Sequence, residues 1–138
     1  MKKPRQILFE WQDPVTGEIH KCPRAFMAVR HCLGHGEKRA LHAGLLLRHL
    51  DMPRTESNYR HLRKAIFILQ AQGLPVVSTR SRRGGYYFAL TWEEIDQHCT
   101  LQEKLAESMK ARAKLLRELW RHPDPPYTDD LFDDRPPP

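Results

Sequence analysis

Residues 62–90 read LRKAIFILQAQGLPVVSTRSRRGGYYFAL, and this stretch decides the fold. Its first part ends an amphipathic helix. Tyr59, Leu62, Ile66 and Leu69 recur at steps of three and four on one face. Gly73 closes that helix as a residue able to take positive φ, and Pro75 forbids its continuation. Val76-Val77-Ser78 is a short β-branched run and Tyr86-Tyr87-Phe88-Ala89-Leu90 is a second strand. Between them, Arg80-Ser81-Arg82-Arg83-Gly84-Gly85 makes a basic, glycine-containing hairpin tip.

Working outward towards the N-terminus, Thr55 is an N-cap for the helix that begins at Glu56. Asp51-Met52-Pro53-Arg54 is a tight break. Before it, Leu41, Leu45, Leu46 and Leu50 form the apolar stripe of a preceding helix. Pro23 suits the first turn of another helix, with Ala25, Phe26, Val29, Cys32 and Leu33 on its apolar face and Gly34-His35-Gly36 at its end. Gln6–Trp11 and Glu18–Lys21 read as strands around the turn Asp13-Pro14-Val15-Thr16-Gly17, which predicts an N-terminal hairpin. Towards the C-terminus, Thr91-x-x-Glu94 is a capping box. Neither Pro nor Gly occurs from Thr91 to His122, so a helix of roughly 30 residues is allowed, with Thr100-x-x-Glu103 as a possible second start.

The order is helix, helix, tight turn, helix, basic hairpin, long helix. It resembles the winged helix-turn-helix DNA-binding domains of the biotin-operon-repressor-like type, over about residues 24–95. Bacterial and phage transcription regulators and replication proteins share this arrangement. The resemblance implies an α+β, mainly α fold. The N-terminal hairpin, the long C-terminal helix and an acidic tail depart from the usual pattern. The expected organisation is a hairpin over 1–22, a winged domain over 23–90, a long helix over 91–121 and a Pro-rich acidic tail over 122–138.

Charge supports the same partner without the family. Of the net charge of +6, residues 38–83 hold ten Lys or Arg against Asp51 and Glu56. A block so one-sided fits a polyanion. On a wheel with Leu62 at the core, Ser57, Arg60 and Lys64 fall opposite, with His61 beside them. Arg60 suits bidentate contact with guanine, and Ser57, His61 and Lys64 suit bases or phosphates. Arg54 and Thr55 suit a phosphate at the helix N-terminus. Arg80, Arg82 and Arg83 suit a minor groove or a phosphate clamp. These nine residues are the expected contacts with double-stranded DNA. The expected role is a sequence-specific regulator or replication-origin factor of a bacterium or phage.

Two further surfaces carry expectations. Ile95, Gln102, Leu105, Met109, Leu116 and Leu119 lie near heptad spacing, interrupted by Gln102 and Arg112, and predict a homodimer through residues 95–119. The tail stretch Tyr127–Asp134 sets Leu131 and Phe132 among four Asp, a composition suited to a protein partner or to masking the basic block. An alternative function is a protein-interaction module that binds a polymerase, nuclease or replisome partner through the tail or through a patch of Phe67 and Ile68.

Enzyme, metal and cofactor chemistry find little footing. His20, Cys22, Cys32, His35 and His42 lack the paired spacing of a structural zinc site. Gly34-His35-Gly36-Glu37-Lys38 lacks the phosphate-loop pattern. His31 and Cys32 are helical neighbours, which do not face each other. Three cysteines, no secretory h-region and no long apolar run predict a cytoplasmic protein.

Overall fold

A computed structural model describes residues 7–79 and 84–121. The expected wing arginines Arg80, Arg82 and Arg83 lie outside the described residues, as do the tail residues Leu131 and Phe132. The described chain is α+β and mainly helical, with two small antiparallel sheets.

Strand β1 (Leu8–Gln12) pairs antiparallel with β2 (Ile19–Pro23), from Leu8 opposite Pro23 to Gln12 opposite Ile19. The turn forms as its residues predict. The Asp13 carboxylate accepts from the Val15 amide at 2.8 Å, and Gly17 takes φ 77°. Strand alternation sends His20 and Cys22 inward while Glu10 and Lys21 pair on the outside at 3.5 Å.

The expected helix after Pro23 is a 3-10 helix, Arg24–His31. No side chain caps its start. Its buried residues Phe26 and Val29 are three apart, and the half-buried Cys32 continues the row. A three-residue turn aligns that spacing, whereas a 3.6-residue turn would let it drift.

Helix α1 (Ala43–His49) is capped by His42, whose Nδ1 accepts from the Leu45 amide at 3.3 Å. Its buried side chains are Leu46 and Leu47; Leu41, Leu45 and Leu50 of the expected stripe are half-buried. The break after α1 is a Schellman motif. The Met52 amide donates to Leu47 at 2.9 Å, the Asp51 amide to Arg48 at 3.0 Å, and Asp51 takes φ 55°.

Helix α2 (Glu56–Ala71) starts at Thr55, whose hydroxyl accepts from the Asn58 amide at 3.1 Å. It ends in a second Schellman motif, in which the Leu74 amide donates to Leu69 and Gly73 has φ 90°. Leu62, Ala65, Ile66, Ile68 and Leu69 of α2 meet Phe26, Val29, Leu33, Leu46, Leu47 and Val76 in one core. Cys22 of β2 is part of that core, and Phe9 and Trp11 of β1 pack against it. The hairpin therefore caps the helical core.

Strand β3 (Val76–Ser78) pairs antiparallel with β4 (Tyr86–Phe88), and the Thr79 amide donates to Gly85 at 2.9 Å beyond them. The other edge of β4 is also bonded. The Gly36 amide donates to the Phe88 carbonyl at 2.9 Å, the Phe88 amide donates to Gly34 at 2.8 Å, and Tyr86 and Leu41 bond reciprocally. Residues 34–41 thus form a loop that bridges the free edge of β4 at His35 (parallel) and Leu41 (antiparallel), on either side of a short 3-10 turn at Glu37–Arg39.

Helix α3 (Trp92–Trp120) opens with the predicted capping box. The Thr91 hydroxyl accepts from the Glu94 amide at 3.2 Å, and Glu94 Oε1 accepts from the Leu90 amide at 2.9 Å. The helix is continuous through Thr100, so the second capping box starts nothing. One compact unit closes at His98 and a second begins at Cys99. No described helix is long and apolar enough to cross a membrane.

Candidate nucleic-acid interface

The exposed side of α2 is built by what its other sides must cover. Leu62, Ile66 and Leu69 turn to the core, and the N-terminal hairpin packs against an adjoining flank. That flank carries His61 and Lys64, and both depart from the expected contact face. Lys64 Nζ lies 2.9 Å from Nδ1 of the buried His20 and 5.2 Å from the centroid of the Phe67 ring. His20 also stacks on Trp11 and meets Phe67 edge-on. His61 packs on Phe26, with ring centroids 5.2 Å apart, and its carbonyl accepts from the Cys22 thiol at 3.5 Å. The physical reason is simple: the wheel took the helix as bare on its polar side, whereas the hairpin occupies one edge of that side.

The remaining open face is rotated towards Arg63. Ser57, Arg60 and Arg63 are exposed, as are Arg54 and Thr55 at the N-terminal end. Arg63 belongs to this surface although the wheel did not select it. The signal was available in its charge and its place in the basic block, one residue before Lys64. Among the described residues no carboxylate pairs with Arg54, Arg60 or Arg63. Glu56 shares the first turn; it complements the helix dipole and offsets part of the positive charge.

The turn positions this face. Asn58 Nδ2 donates to the Pro53 carbonyl at 2.8 Å, tying the first turn of α2 to the break. The Arg54 guanidinium lies over Gly44 of α1, where an added Cβ would come within 3.2 Å of it. Gly44 therefore lets Arg54 cross the base of α1, close to the His42 ring.

The other candidate chemistry resolves into packing. Ile68, expected in an exposed patch with Phe67, is fully buried, so that patch does not form. Phe67 is 46% exposed, but its ring braces Lys64 and His20. Burial pushes the Cys22 thiol up to about 11, against the lowering influence of Lys64, which makes it a poor nucleophile. Among the described residues no three His, Cys, Asp or Glu side chains converge as metal ligands. An open depression of about 650 Å³ beside Leu90, lined by His35, Glu37, Lys38 and Glu94, is mixed in charge and holds no paired acid and base. No protein-family model, curated protein or solved structure matches this chain.

Proposed function

We propose that the chain binds double-stranded DNA with sequence preference through α2, as a winged helix-turn-helix protein acting on transcription or at a replication origin. The observation that carries this reading is the face of Ser57, Arg60 and Arg63, with Arg54 and Thr55 at its leading end. It is cationic, exposed and free of carboxylate pairing among the described residues. It also follows the short Schellman turn that joins α1 to α2. The order of elements suits a winged helix: a first helix, a loop over residues 34–41 that bridges the edge of β4, α1, α2 and a two-stranded hairpin. Arg60 and Arg63 reach guanine O6 and N7 or phosphates from a helix in the major groove, and Arg54 takes a flanking phosphate.

Selection from a randomised duplex library at two salt concentrations tests it. Enrichment of a motif that Arg60→Ala relaxes at one or two positions is the expected result. Retention without any motif points to non-specific binding and removes the sequence preference. No retention at low salt overturns the DNA reading altogether.

A further inference from the structure

Every residue of α3 beyond Leu101, save Ala113, is exposed, including large apolar side chains. Leu105 is 50%, Met109 67% and Leu116 58% exposed. With Leu119 they lie along one face, and Leu101, Leu115 and Trp120 flank it. An apolar stripe of this length on a charged helix needs a cover. Two features of the helix itself identify it.

The first is charge. From Trp92 to Glu107, α3 carries Glu93, Glu94, Asp96, Glu103 and Glu107 against Lys104. From Ser108 to Trp120 it carries Lys110, Arg112, Lys114 and Arg117 against Glu118. The helix is acidic in its first half and basic in its second. A second copy laid head to tail sets each half against its opposite, whereas a parallel copy sets like against like.

The second is the polar residues in the seam, of which Gln102 and Arg112 lie beyond His98, whose ring is bonded to Ser78 of its own chain. Ile95, Gln102, Met109 and Leu116 occupy one heptad position; His98, Leu105, Arg112 and Leu119 occupy the other. Antiparallel pairing sets one class against the other. In the register with the longest overlap, Leu105 faces Met109 of the second copy, Ile95 faces Leu119, and Gln102 faces Arg112. Gln102 and Arg112 thus meet each other, and the Gln102 carbonyl oxygen can accept from the guanidinium, while His98 lies opposite Leu116. Parallel pairing instead buries Arg112 against Arg112, an unpaired like-charge contact.

We propose that α3 pairs antiparallel with α3 of a second copy, with Gln102 opposite Arg112 in two symmetric contacts. This pairing uses no nucleic acid and stands or falls apart from the DNA reading. The test uses the full chain without DNA. Sedimentation equilibrium should show a dimer. Gln102→Glu should tighten it by about fivefold, since it turns both polar contacts into ion pairs. In the Gln102→Cys, Arg112→Cys variant, oxidation should link position 102 to position 112 between chains, read from the cross-linked peptides. Native Cys99 should not link to itself, because the register separates the two copies by about 24 Å along the axis. A monomer at every concentration overturns the proposal. So do 102–102 and 112–112 cross-links, or weakening by Gln102→Glu, each of which marks a parallel pair.

Discussion

Lys64 and Arg60 are one turn apart on α2 and carry the same charge, yet their surroundings assign them different work. Lys64 is half-buried, and its ammonium sits on Nδ1 of His20, a ring almost closed to water at 6% exposure. Removing it leaves a buried imidazole nitrogen without its partner and strips the lysine stem from Phe67. Lys64→Ala should therefore destabilise the fold by about 1–3 kcal/mol. Arg60 is exposed and has no partner among the described residues. Arg60→Ala should change stability by less than about 0.5 kcal/mol and cost about 1–3 kcal/mol of specific DNA binding. Thermal melts alongside DNA titrations of both variants check this; equal stability losses would break the distinction. The sequence placed Arg60 correctly on an exposed face. It could not place Lys64, because the residue that claims it is 44 positions away in the hairpin.

Elements whose ends are set by local chemistry were legible, and those set by distant pairing were not. The Asp13–Gly17 turn, the Thr55 cap, the Gly73 terminus and the Thr91–Glu94 box all form as their residues dictate. The bridges of His35 and Leu41 to β4 have no β-branched run to announce them; they form where β4 offers an unpaired edge. The start of α3 also has a pH dependence with a defined sign. Burial holds the His98 imidazole below its ordinary value, and its Nδ1 accepts from the Ser78 amide at 3.4 Å. The unfolded chain takes up that proton first, so stability is full above about pH 6.5 and declines as pH falls through and below it. The Leu90 amide, with help from Tyr87 and Thr91, holds the Glu94 carboxylate below its usual range. Its contribution is present above the ordinary carboxylate range and is lost at more acid pH, as the folded-state group protonates. Melting temperature should thus fall in two steps between pH 8 and pH 3. His98→Asn, which keeps an acceptor near Ser78 without a proton to gain, should flatten the upper step alone. A melting temperature that stays level through the imidazole range would refute the assignment.

At the scale of the whole molecule, charge is divided by task. The block from residue 38 to residue 83 holds most of the positive excess, while α3 is nearly balanced over its length and polarised along it. A polyanion recognised by the block should therefore show a steep salt dependence that α3 does little to alter. If about six phosphates are neutralised, affinity for duplex DNA should fall by about 10³-fold between 50 and 200 mM salt. Each exposed arginine that meets a phosphate contributes about one unit to the slope of log affinity against log salt. Arg63→Ala should lower that slope by about one, as should Arg54→Ala. Lys64→Ala, whose charge is turned to the hairpin, should leave the slope unchanged in a chain that still folds. Titrations at four salt concentrations separate these outcomes. A slope that falls equally for Lys64 and Arg63 would mean that the hairpin moves aside when DNA binds, and that the face first read from the helical wheel is the one DNA meets.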